Sequence, residues 1–305
     1  MGIEATAVCP QGRNYTNIVA GWENQTTILE ADEVDNATFT NESPPFNRGN
    51  GAPIDYYGGV VYPQPRSTSS GWDAETAAGE RVYWLLPMRF THYRLPCEGP
   101  DGAQCLPATF DVPILASRDG VNFTYVADDR GALVEPATSG GWNANGLTYV
   151  LGTPHLTDSG DELVLYFWGT NSNHNGVLDP MAPGNKTQTS IASVRMRLDG
   201  WVHVAPLDAA APAVVVTKPL VYSGEALRLN ADAGGSGQII VTVEEPDDGG
   251  KVLLRGKPFS FNDVAGLVQW ENKAGGLGGL AGVAVRLRFE IHRAKLYAFQ
   301  FGKGD

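Results

Sequence analysis

The chain has 305 residues, a formal net charge of −12, and 42% apolar residues. That is room for about two domains and a sizeable core. An acidic chain without a basic run does not neutralise phosphates, so nucleic acid is excluded as an expected partner. No stretch of apolar residues is long enough to span a membrane as a helix.

Thirty-seven glycines and 20 prolines punctuate the sequence, and helix-forming stretches are scarce. The expected class is therefore all-β. No cofactor motif is present: the histidines lack metal-ligand spacing, and the glycine-rich run at 275–282 does not follow a strand-to-helix pattern.

Residues 1–52 read as a polar arm, rich in Asn and Thr. The N-terminal MGIEATAVCP has neither the basic nor the apolar region of a signal peptide. Asn-x-Ser/Thr sequons stand at Asn14, Asn24, Asn36, Asn41, Asn122 and Asn185, and Asn41 is followed by Ser43 and then Pro44. Their crowding toward the N-terminus points to N-glycosylation and a secreted or extracellular-surface location. Ordering so polar a segment requires packing on its own domain or on a neighbouring chain. Assembly into a homo-oligomer or fibre-like array through residues 1–52 is the partner expectation.

Residues 53–212 show repeated short strands. ERVYWLLPMRF reads as a buried strand ending near a proline. FDVPILASRDGVNFTYV reads as strand, turn and strand, with Gly120 available for positive φ. LTYVLGTPHLT and DELVLYFWGT make a second pair, and TSIASVRMRLDGWVHV a third that turns at Asp199-Gly200. Cys97 and Cys105 flank a turn-rich heptapeptide and can close a short disulfide loop in an oxidising compartment. Cys9 is then free, bonded to another chain, or paired with one of those two.

Residues 213–305 read as seven antiparallel strands: VVVTKPLVYSG, ALRLNAD, QIIVTVEE, KVLLRG, LVQW, VAVRLRFEIH and KLYAFQF. In the sixth, Val285, Leu287, Phe289 and Ile291 alternate with Arg286, Arg288, Glu290 and His292. The pattern predicts an antiparallel β-sandwich.

Five segments carry a resemblance: SRDGVNF, DELVLYFWGTNSNH, SIASVRMRLDGWVHV, TKPLVYSGEALRLNADAGGSGQIIVTVEE and VAVRLRFEIHRAKLYAFQF. In this order they resemble the C-terminal part of glycoside-hydrolase-like proteins, similar to glycoside hydrolase families 32 and 43. The resemblance implies a five-bladed β-propeller followed by a β-sandwich. Residues 53–210 supply only three to four blades of the usual length. The expected fold is therefore an incomplete or short β-propeller-like domain before the sandwich, without the early blades. At Trp142-Asn143 the family tends to have Trp-Asp, and an amide cannot act as a carboxylate base or nucleophile.

Glycoside hydrolysis needs two carboxyl groups across the scissile bond. Asp55 and Glu135 are the catalytic candidates; Asp119, Asp158 and Asp161 read as turn residues. Trp142, Asn143 and His174 are the carbohydrate-binding candidates. Trp142 sits among small polar residues, and His174 matches a histidine of the resembled family and follows an apolar strand. Trp168 and Trp201 read as core. The expected function is a secreted glycoprotein on a glycosidase-like scaffold, non-catalytic, acting in extracellular assembly or glycan binding. The alternative is a secreted glycoside hydrolase, or a fragment of one, acting on an oligo- or polysaccharide.

Overall fold

The computed structural model describes residues 6–9, 13–16, 54–64, 66–68, 71–73, 81–92, 108–126, 132–134, 141–143, 148–172, 184, 186–247, 249–271 and 276–304. These residues form β-strands and turns, with a short 3-10 helix at Leu277–Leu280. Among the described residues the fold is all-β, with several antiparallel sheets and none closed into a barrel. No helix among the described residues is long and apolar enough to cross a membrane.

The chain divides into two compact units. The first comprises Met1–Arg66, Trp72–His155 and Val164–Arg195; the second comprises Ser67–Gly71, Leu156–Leu163 and Met196–Asp305.

Near the N-terminus, β1 (Thr6–Cys9) pairs antiparallel with β2 (Arg13–Thr16). The first large sheet is built on two long strands, β3 (Ile54–Gln64) and β6 (Val82–His92). Between them, β4 (Arg66–Thr68) pairs with β5 (Gly71–Asp73). A register shift between Tyr56 and Gly59 kinks β3 against β6. The sheet is completed by β7 (Ala108–Pro113), β8 (Leu115–Ser117), β9 (Thr124–Tyr125) and β10 (Ala132–Val134). The turn expected at Ser117–Gly120 lies between β8 and β9, and the connection runs on to Thr124.

A second sheet centres on β13 (Glu162–Thr170), flanked by β11 (Thr148–Val150), β12 (His155–Leu156) and β14 (Thr189–Arg197). The expected pairing of LTYV with LYFWG is present: Thr148 lies opposite Gly169, Tyr149 opposite Trp168, and Val150 opposite Phe167. The third expected hairpin differs. After the turn at Asp199, Trp201 enters the core at 6% exposure and Val204 makes an isolated bridge to Leu296. A large indole drawn into a core outweighs continuing the hairpin.

The second unit contains a four-stranded sheet in the order β15-β20-β17-β18 and a three-stranded sheet in the order β19-β16-β21. Its strands are β15 (Ala213–Val216), β16 (Ala226–Asp232), β17 (Gln238–Glu244), β18 (Val252–Arg255), β19 (Asn262–Leu267), β20 (Arg286–His292) and β21 (Lys295–Gly302). The alternation read from β20 is realised: Leu287, Phe289 and Ile291 are at most 1% exposed. They join Leu227, Leu229, Ile239, Val241 and Val243 in one apolar core drawn from both sheets. Tyr222 stacks on Phe301 with ring centroids 4.0 Å apart and donates its hydroxyl to the Leu277 carbonyl at 2.6 Å. That bond fixes the 3-10 helix to the core. The strand expected at LVQW lies earlier, at Asn262–Leu267.

Candidate functional site

The first unit carries two contrasting faces on the same strands, because successive residues of a strand point opposite ways. On one face, Arg89 of β6 lies directly opposite Asp111 of β7. Both are buried, at 1% and 5% exposure. Arg89 donates from Nε to Asp111 Oδ1 at 2.9 Å and from one terminal nitrogen to Oδ2 at 2.7 Å. This two-pronged geometry is the strongest form of the pair. Burial by itself lowers the Arg89 pKa, but hydrogen bonding and charge from Asp111, with help from Tyr125, outweigh it. The net shift is upward, and the guanidinium stays charged. The Tyr125 ring lies 6.0 Å from the guanidinium carbon, and the Tyr125 hydroxyl hydrogen-bonds the Tyr56 hydroxyl.

The other face is aromatic. Phe90 stacks on Phe110 at 4.5 Å, and Tyr57 meets both rings edge-on at 5.2 and 5.0 Å. The row continues through Tyr149, 5.0 Å from Phe110, to Trp168, 5.0 Å beyond it. Phe90 and Phe110 form the buried floor, whereas Tyr57 is 47% exposed. Burial raises the Tyr149 phenol pKa, so it remains neutral at physiological pH.

The carbohydrate candidate Trp142 lies on the opposite side of β13 from Trp168. Its ring stacks on Phe167 at 6.0 Å with a 26° interplanar angle. The same ring sits over Gly169: a Cβ there would lie 2.8 Å from Trp142 Cζ3, and 3.4 Å from Asn143 Cβ. Gly169 is required by this close approach. Trp142 and Asn143 are both half-buried. Thr148, the cross-strand partner of Gly169, is fully buried, and its hydroxyl has no hydrogen-bond partner among the described residues.

Beyond β13, Asn171 is also fully buried. Its Nδ2 donates to the Lys186 carbonyl at 3.1 Å, and its Oδ1 accepts from the Gln188 amide at 2.7 Å. These bonds hold the strand end from which the chain continues toward His174. Asn171 escaped sequence reasoning because asparagine after a strand reads as an ordinary turn residue. Arg89 and Asp111 were detectable in principle, as lone charges in otherwise apolar strands.

Other sequence candidates are dispersed. Asp55 is in β3 with Phe90 as its cross-strand partner, and its side chain lies outside the described residues. Glu135, His174, Cys97, Cys105, Asn24, Asn36, Asn41 and Asn185 also lie outside them. Asn14 and Cys9 are placed by backbone alone, in β2 and β1.

Asn122 is exposed in the β8–β9 turn. There Asp119 accepts from the Asn122 amide at 2.7 Å, the Val121 amide at 2.9 Å, and the Asn122 side-chain nitrogen at 2.6 Å. With Ser117 also donating, these bonds hold the Asp119 carboxyl well below the ordinary range. Asp119 is thus a turn-fixing anion. Trp201 is core, while Trp168 is half-buried at the end of the aromatic row. Among the described residues, no three His, Cys, Asp or Glu side chains converge as a metal site.

No protein-family model matches the chain, and no curated protein matches it in sequence.

Proposed function

We propose that the chain is a secreted, N-glycosylated protein on a glycosidase-like scaffold that binds glycan, or assembles outside the cell, without hydrolysing its ligand. In this reading the first unit is a short propeller-like domain and the second a β-sandwich. The observation that carries the reading is the seating of Trp142-Asn143. An aromatic ring is held on β13 by Phe167 and the bare face of Gly169, beside an amide and with partial exposure. An indole held this way offers a sugar-stacking surface at low entropic cost, and the Asn143 side chain beside it is an amide, a group of the kind that pairs with sugar hydroxyls. The all-β sheets and the exposed sequon at Asn122 are compatible with this role.

The test is a panel of oligo- and polysaccharides, with binding and hydrolysis measured on the same samples. Binding without product, weakened by Trp142→Ala roughly ten-fold or more, is expected. Sugar release that disappears in Asp55→Asn or Glu135→Gln would replace this reading by the hydrolase one. Asp55, paired in register with Phe90 of the aromatic row, is the observation favouring that alternative. Expression in a glycosylating host with enzymatic glycan release and peptide mass spectrometry tests the secretory part. A deamidation mark at Asn122 is expected.

A further inference from the structure

We propose that Tyr56 and Tyr125 are a pre-set pair for oxidative coupling, which a diffusible one-electron oxidant converts into a dityrosine staple between β3 and β9. The pair lies within the first unit, and the inference is independent of the glycan-binding reading. Tyr56 stands opposite Arg89 in the β3–β6 ladder, and Arg89 stands opposite Asp111 in the β6–β7 ladder. Directly opposed residues of antiparallel strands share a face, so the three form one cross-strand row. Tyr125 reaches that row from β9, 69 residues along the chain from Tyr56. Its ring lies 6.0 Å from the Arg89 guanidinium carbon, and its hydroxyl oxygen stands 2.5 Å from that of Tyr56.

The surroundings favour coupling. Arg89 is buried and held to Asp111 by two hydrogen bonds, so the group under Tyr125 is fixed. Reacting groups held together combine far faster than groups that must meet by diffusion. Tyr56 and Tyr125 are each only half-buried, so electron transfer to an oxidant in solvent needs no entry into a closed core. The strand also has slack beside Tyr56. A register shift between Tyr56 and Gly59, with φ of +104° at Gly58, interrupts the ladder there. The Tyr56 ring can therefore turn to bring an ortho carbon against that of its partner.

The oxidant removes one electron from each phenol, and each phenol proton passes to water. The two phenoxyl radicals join by a bond between ortho carbons. The hydrogens on those carbons then move to the phenol oxygens, and both aromatic rings are restored. Two electrons go to the oxidant and two protons to solvent, so the product is two hydrogens lighter. The new bond closes a long loop, and such a cross-link restricts the unfolded chain more than the folded one.

The experiment uses the full chain in dilute solution, with persulfate and a light-driven ruthenium sensitiser as the one-electron oxidant. Dityrosine fluorescence, peptide mass spectrometry and melting temperature are measured on wild type, Tyr56→Phe, Tyr125→Phe and Tyr57→Phe. Wild type is expected to give a peptide pair joined at Tyr56 and Tyr125, from a chain that stays monomeric on a denaturing gel. Tyr56→Phe and Tyr125→Phe keep the ring and lose the phenol, and each is expected to lower the fluorescence roughly ten-fold. Tyr57→Phe, which removes the neighbouring exposed phenol, is expected to keep the cross-link. Cross-linked wild type should melt roughly 5–10 °C above the untreated protein. Coupling that joins other tyrosines instead, or only separate chains, overturns the pair, as does undiminished fluorescence in Tyr56→Phe or Tyr125→Phe. A Tyr56–Tyr125 link that leaves the melting temperature unchanged overturns the staple.

Discussion

At the scale of single residues, the buried Arg89–Asp111 pair and the half-buried Asp199 make opposite demands on charge. Arg89 and Asp111 satisfy each other through two hydrogen bonds. Removing one partner leaves an uncompensated buried charge, which typically costs about 3–5 kcal/mol. Asp111→Asn and Arg89→Met are therefore expected to lower stability by that order in denaturant titration. The double variant Arg89→Met/Asp111→Leu should recover much of the loss, since an apolar pair of similar volume avoids the desolvation cost. A double variant whose loss equals the sum of the two single losses would show that the pair is not coupled.

Asp199 has its carboxyl pushed up to about 6 by burial. The folded form therefore holds a proton that the unfolded form, with an ordinary carboxyl near 3.9, releases more readily. Its contribution to stability is full below about pH 4 and is lost as pH rises through about 6. Across that window the loss is roughly 1–3 kcal/mol. Asp199→Asn should remove this slope and stabilise the protein at pH 7, checked by melts between pH 4 and 7. Asparagine tolerates the positive φ of 53° at this position, so the turn should persist. An unchanged pH slope in the variant would refute the assignment.

At the scale of elements, legibility in the sequence follows the strength of the alternation. The β20 pattern announced its buried face because every second residue is large and apolar. The β19 segment, NDVAGL, has no such pattern; only pairing with β16 makes it a strand. LVQW looked the better strand, yet Val268 is drawn into the core and Trp270 makes only an isolated bridge to Gly256. Likewise WVHV reads as a hairpin arm, but Trp201 is buried and Val204 bridges Leu296, far away in sequence. The Trp142 seat was half legible. Its polar, small-residue setting marked it, but Gly169 and Thr148 are unremarkable until strand pairing brings them together.

Gly224 shows how tight such pairing becomes. Its φ is +112°, and an added Cβ would stand 2.3 Å from the Gly302 carbonyl oxygen at the end of the β16–β21 ladder. Backbone cannot yield there as a flexible side chain would. Gly224→Ala is expected to cost about 2–3 kcal/mol in unfolding free energy, whereas Gly279→Ala, with open space at its Cβ, should be nearly neutral. Equal effects would contradict the steric account.

At the scale of the whole molecule, the class was readable because composition and period agree: many turn residues, short alternating runs and no helical stripe. The sites were less readable, because their members come from strands that meet only on folding. Arg89 and Asp111 are 22 residues apart in the chain, and the Trp142 ring needs a glycine in β13. Periodicity reports which way a side chain faces, not which distant strand it will meet.

The alternation of β20 also matters before the fold exists. On the ribosome or after thermal unfolding, RLRFEIH is a β-prone stretch with three large apolar residues in register. Such a heptapeptide can stack into a fibril spine when its remaining positions are uncharged. Here Arg286, Arg288, Glu290 and His292 interrupt it at every second place, acting as gatekeepers against self-association of nascent chains. A peptide spanning 283–301 should stay monomeric by light scattering, while the same peptide with Arg286→Thr and Arg288→Thr should form thioflavin-positive aggregates. The charges lining the solvent side of the folded sheet thus protect the chain most during the interval when that sheet has not yet formed.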